Sequence, residues 1–348
     1  MPAKRRIGLL AGVVVLVAAA AHGALWWWAV TAMEREVAAT LAAPPAAGWQ
    51  ASAGPLERGG WPLAATVALP GLAAAGPLGG VPGNILRWHA ARMTVSIALL
   101  RPRTLVVELS GPQSLQLGPA PPVPVSAGEF RAEVPLEPGV PARAITIDAT
   151  ALTAGPPAGT LGVARLHIAA EQRPAALQGE PALTLAIAAH GIALPSAQAW
   201  PLGPTVERFL LDLAVTGPVP RQPDLALRAA SWRDGGGAAE VRRLELAWGE
   251  VTLTGSATLA LDAQLQPMGA ATARLAGHAA ALRALTASGL LAPRTAMAAG
   301  AVLGLMARPP AGGGAAVVEV PFSLQDRTLA LGRIPLVRVP ELVWHPPQ

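Results

Sequence analysis

From Ile7 to Val30 the chain carries no charged residue, and the run closes in Trp26, Trp27 and Trp28. As a helix rising ~1.5 Å per residue it covers ~36 Å, enough to cross the ~30 Å hydrocarbon layer of a bilayer. No later charge-free run of this length lacks proline. Residues 31 to 41 stay helix-compatible but admit Glu34, Arg35 and Glu36, which predicts a short stalk ended by Ala43-Pro-Pro-Ala-Ala-Gly48. From Trp49 onward the period changes to two. Leu105, Val107 and Leu109 lie opposite Val106 and Glu108, and Ile145 and Ile147 alternate with Thr146 and Asp148. Leu161, Val163 and Arg165 make another row, as do Leu183, Leu185 and Ile187. Phe209, Leu211, Leu213 and Val215 make a further one, with Asp212 on the other side.

The clearest alternation runs through Leu244, Leu246 and Trp248, a turn at Gly249-Glu250, and then Val251 to Leu265, where Gly255 is expected to bend or bulge the strand. Pro267-Met268-Gly269 is expected to turn the chain into Ala271 to Leu275. Two helices are predicted next. His278 to Ser288 is closed by Gly289, and Arg294 to Ala307 is opened by Pro293 and stopped by Pro309-Pro310. Gly300 and Gly304 in the second predict close packing of a small-faced helix on the sheet. A hairpin from Val317 to Leu331 and a proline-edged strand from Ile334 to Pro340 complete the chain.

The expected fold is therefore mainly β with a minor α part. An N-terminal transmembrane helix leads into extended antiparallel sheet, with two short C-terminal helices packed on it. Residues 1–6 form a basic tip, 7–30 the anchor, 31–48 the stalk and turn, and 49–348 the body, with a sub-boundary considered near 218–238.

Charge orients this arrangement. Lys4, Arg5 and Arg6 hold three of the five net positive charges and are expected to stay in the cytoplasm, which places the residues beyond about 31 on the outer face of the membrane. Trp26, Trp27 and Trp28 would sit at the far lipid–water boundary. A signal peptide cut near Ala18-Ala19-Ala20-Ala21 is the competing reading. His22 inside the run is read as a modest burden on the span, with a proton site as the alternative.

Composition narrows the chemistry. There is no cysteine, hence no disulfide and no thiolate site. Lys4 is the only lysine, so no phosphate-binding lysine loop exists, and the scattered arginines argue against nucleic acid. His22, His89, His167, His190, His278 and His345 form no metal-ligand spacing. No cofactor or metal is expected, and no catalytic role is assigned. An enzyme would need several of Asp148, His167, Asp212 and His190 to converge in a pocket. The alternatives are a sheet holding lipid or an apolar partner segment, and an anchored scaffold docking another envelope protein.

Gly60-Trp61-Pro62-Leu63 followed by Ala64 to Leu69, the block Leu244 to Gly269, the helix pair and the closing strand resemble, as an ordered set, the bacterial domain-of-unknown-function 2125 family. Gly60, Trp61 and Pro62 stand where that family usually has Gly-Phe-Pro. The resemblance implies an exported, anchored, strand-rich protein without an established activity, expected in the bacterial inner membrane with its body in the periplasm. The G-x-L-x-L strands are also similar to AsmA-like envelope proteins, which are linked to lipid transport and outer-membrane assembly.

Overall fold

The computed structural model describes residues 2–44, 48–77, 85–137, 142–156, 159–197, 199–220, 224–289, 291–308, 316–332 and 334–344. His345, the triple glycine at 312–314 and most of the loop at 76–83 lie outside them. The chain forms two compact units, one of residues 1–124 and 130–142, the other of 125–129 and 143–348.

The first unit begins with α1 (Pro2–Ala42), a single unbroken helix that joins the expected anchor and stalk. Its strands are β1 (Gln50–Ser52), β2 (Glu57–Gly59), β3 (Ala64–Pro77), β4 (Ile85–Ala98) and β5 (Thr104–Leu117). Beyond β6 (Val123–Ser126), β7 (Glu129–Pro135) pairs with β5. All these pairings are antiparallel, with β1 and β2 both on β3. In register across them stand Val67, Val95, Val107 and Ala132, with Leu69, Met93 and Leu109 in the next row. These apolar rows need a cover, because half a sheet left wet gains little from burial.

The cover is α1 itself. Val30 and Val67 are fully buried, and Met33, Leu69, Leu72 and Val95 close the same cluster, with Trp26, Val37 and Leu41 packed at its edge. Residues 26, 30, 33, 37 and 41 form one helical stripe. The part of α1 expected to be a free stalk is thus the lid of a core. Arg58 of β2 reaches α1 by an ion pair to Glu34 and lies over the Trp27 ring at 5.1 Å. On the sheet's other face Arg131 is held above its ordinary pKa, chiefly by its hydrogen bond to Glu133, and bonds Glu108 as well.

The second unit is an antiparallel meander. It runs through β8 (Ala144–Ala154), β9 (Leu161–Gln172), β10 (Pro181–Ala193), β11 (Thr205–Thr216) and, after α2 (Leu225–Asp234), β12 (Ala238–Trp248), β13 (Val251–Leu261) and β14 (Pro267–Ala276). Next come α3 (His278–Ala287), α4 (Pro293–Met306), β15 (Val317–Gln325), β16 (Thr328–Leu331) and β17 (Ile334–Arg338). The fold class expected from the hydrophobic pattern is the one observed, mainly antiparallel sheet with an apolar N-terminal helix and short C-terminal helices.

Details differ for local reasons. Alternation in the sequence continues to Leu265, but β13 stops at Leu261, because the Asp262 carboxylate accepts from the backbone N–H of Gln264 and Gln266. The extra residue opposite Gly255 belongs to β12, between Val241 and Leu244, and not to β13. Gly255 supplies room instead, since a Cβ there would lie 2.8 Å from the Thr272 carbonyl. Helix α4 has no buried residue. Gly300 faces Leu282 of α3 and Gly304 opens onto empty space, so the pair does not seat the helix on the sheet.

The segment 218–238 lies inside the second unit and contains α2, which the hydrophobic pattern does not reveal. Its signals are its ends. Asp224 caps it through the Leu227 N–H at 2.9 Å, and Gly235 follows its last turn. Asp224→Ala is expected to cost about 1 kcal/mol, as loss of an N-cap does, read as a lower thermal midpoint in detergent.

Candidate functional site

The second unit sorts its side chains by face more completely than the sequence rows suggest. Ile147, Ile168, Ile187, Leu211 and Leu244 stand in register on five successive strands. Ile145, Ala170, Leu185, Leu213 and Val241 form the adjacent row, and Ala149, Leu166, Ala189, Phe209 and Leu246 the row on the other side. With strands ~4.8 Å apart, five of them make an apolar strip roughly 19 Å wide. Of these fifteen residues only Ala149 and Ala189 are buried, while every larger side chain keeps part of its surface accessible. Helices α2 and α3 make their sheet contacts mainly on β13, and α4 on β15. The strip over β8 to β12 therefore has no helix of its own unit as a main partner among the described residues.

The first unit offers a smaller apolar space. Between α1 and the sheet lies a groove of about 480 Å³ lined by Met33, Val37 and Leu41 on one side and Leu69, Met93, Ile97 and Leu105 on the other. Glu36 and Thr40 are the polar residues in its lining among those described. Its size falls within the ~300–1,000 Å³ of ordinary ligand pockets. A second depression of about 550 Å³ in this unit, edged by Gln50, Arg87, His89 and Ser114, is polar by comparison.

The groups an enzyme would need converge only in part. The His167 Nδ1–H donates to Asp148 at 2.8 Å, as a cross-strand pair on the wet face. His190 stands in register with Arg165 and Arg208, and Asp212 with Arg243. A shallow depression of about 500 Å³ includes Asp212 but none of the other three. Among the described residues no three acidic or histidine groups gather as a metal site would require. Asp148→Ala should shift stability by less than about 1 kcal/mol, the value of an exposed ion pair, read from the denaturation midpoint.

The expected anchor residues divide. Lys4, Arg5 and Arg6 lie in the first turns of α1. Trp27 and Trp28 point outward, 57% and 65% exposed. Trp26 turns inward, and its Nε1–H donates to the Ala64 carbonyl at 2.9 Å. Gly60, Trp61 and Pro62 form the turn between β2 and β3, in contact with α1. The His22 Nε2–H donates to the Pro62 carbonyl at 2.7 Å, and Trp61 lies 5.2 Å from the His22 ring and 5.7 Å from Trp26. Gly60 has φ +87°, and a Cβ there would lie 2.5 Å from the Ala64 carbonyl, so the turn requires glycine.

These features define a β-rich body joined through a docked, outward-apolar helix to a segment long and apolar enough to cross a membrane. The chain belongs to the family described as uncharacterized protein conserved in bacteria (DUF2125), whose model matches residues 26–340. No curated protein and no solved structure matches it.

Proposed function

We propose that this is a non-catalytic, single-pass protein of the bacterial inner membrane whose periplasmic body holds lipid acyl chains, or an apolar segment of a partner, along its sheet. The observation that carries the reading is the strip through Ile147, Ile168, Ile187 and Leu211, apolar in three adjacent rows and only half-buried. An ordinary core buries such side chains, at a gain of about 1.5–3 kcal/mol each. The position of Lys4, Arg5 and Arg6 ahead of the span supports the orientation. Native mass spectrometry of the full chain, gently purified in detergent, tests it. Co-purified phospholipid, or uptake of added phosphatidylglycerol, is expected; a chain free of both would defeat the proposal.

A second reading is an anchored scaffold that docks another envelope protein. It is favoured by α4, on which Met297, Val302 and Leu305 are 70%, 55% and 90% exposed. Crosslinking in cells from a photoreactive residue at Leu305 should then capture a distinct protein partner; self-contacts alone would weigh against it.

A further inference from the structure

We propose that the first unit is itself set into the membrane. In this reading the turns at Gly60–Leu63 and Leu99–Arg103 enter the outer leaflet of a phospholipid bilayer beside α1. The inference rests on α1 crossing the bilayer, and three observations carry it further.

The first is length. Among the described residues, the contact of α1 with the strands of the first unit begins at His22, which bonds Pro62. Residues 7–21, the charge-free helix ahead of that contact, cover only ~22 Å, against ~30 Å of hydrocarbon. A full crossing that starts at residue 7 ends near Trp26. The Gly60–Leu63 turn lies alongside α1 before that point, several ångströms inside the boundary, and a tilted helix would carry it deeper.

The second is surface chemistry. Trp61 is 53% exposed, Leu63 73% and Leu100 89%. The two turns are neighbours, because the Leu99 N–H donates to the Leu63 carbonyl at 3.0 Å. Large apolar side chains on adjacent turn tips are costly in water and favourable in a leaflet. Exposed Arg101 and Arg103 flank Pro102 on the second turn. Their long stems can lie along acyl chains while the guanidinium groups meet lipid phosphates.

The third is backbone accounting. A carbonyl that enters hydrocarbon without a partner costs several kcal/mol. The Pro62 and Ala64 carbonyls are met by His22 and Trp26 from α1 itself, and Gly60 accepts from the Ala64 N–H. This gives His22 a reason to be inside an apolar span. It is a donor for an inserted turn.

The chain has no cysteine, so each cysteine introduced is the sole thiol. Leu63→Cys, Leu100→Cys, Val15→Cys and Leu117→Cys are each labelled with a polarity-sensitive fluorophore. Each full-length protein is then reconstituted into vesicles of phosphatidylethanolamine and phosphatidylglycerol. All four sites are exposed, and circular dichroism checks the fold. Leu117 ends β5, ~43 Å of strand from Thr104. Lipids with a doxyl quencher near the headgroup should quench the labels at 63 and 100 at least about twofold more than that at 117, as for groups at the interface, and lipids with the doxyl group deep in the acyl chain should quench that at 15. If 15 is quenched while 63 and 100 behave like 117, the turns lie in water; this inference fails and the anchor stands. If 15 also behaves like 117, the anchor reading fails and takes this inference with it.

Discussion

Val30→Asp is expected to separate α1 from the sheet of the first unit. Val30 has no exposed surface and packs among Val67, Leu69 and Val95. A carboxylate placed there would meet apolar side chains without a counter-charge, and an uncompensated buried charge costs about 3–5 kcal/mol. That is a large share of the stability of an ordinary domain, about 5–15 kcal/mol. The change should leave membrane insertion of the preceding residues intact, since the segment from Ile7 to Ala29 is untouched. The expected result is a full-length protein still in the membrane fraction but with rapid proteolytic cleavage between β1 and β5. Equal protease resistance in the variant and the parent would mean that α1 does not hold this unit together.

The second large effect is expected on the other sheet. Ile187 and Leu211 face each other across β10 and β11, at the middle of the apolar strip. Replacing both by Asp puts two charges where acyl chains are proposed to lie, and unpaired charge is what such a surface excludes. Because both positions are only half-buried, the carboxylates can keep water in the empty protein, and the fold should survive. Co-purified lipid should fall at least about tenfold, equivalent to a binding loss of ~1.4 kcal/mol or more. Asp148→Ala on the opposite face should leave the lipid content unchanged. A double variant that unfolds would instead show the strip to be core.

How much of this was legible follows from which forces act locally. The strands over Ile145, Leu185 and Leu211 announce themselves because a sheet with one wet face needs period two, and composition alone separates them from helix. The alternation overshoots at Asp262, where one side chain accepting two backbone N–H groups ends the strand, a signal that looks like any polar position on a wet face. It also breaks inside long strands. Gly71, Gly111, Ala151 and Gly191, spaced evenly along the chain, all have positive φ and interrupt β3, β5, β8 and β10. The regular spacing is in the sequence, but Ala151 hides it among the glycines.

The anchor teaches the opposite lesson. Its hydrophobicity reads so strongly as membrane that the inward stripe of Trp26, Val30, Met33, Val37 and Leu41 goes unnoticed, although its spacing is that of a packed helix. One helix carries both a run apolar enough to cross a membrane and the stripe that packs on a protein core, and hydropathy does not distinguish the two. Trp26 was legible as an aromatic near a boundary. Its bond to the Ala64 carbonyl depends on a turn far along the chain, which only the fold brings near. The same is true of Asp148 and His167, which meet as a surface pair because β8 and β9 align them, with no other group of that kind beside them in the row.

The apolar strip of the second unit is proposed to hold lipid. The most direct measurement is photocrosslinking in cells, with a photoreactive residue at Ile187 or Leu211, and at Asp148 on the opposite face as the comparison. Lipid adducts are expected from 187 and 211 and none from 148, identified by mass spectrometry of the purified chain. Crosslinks from 187 and 211 that join only residues of this same chain would contradict it, since the strip would then be closed core.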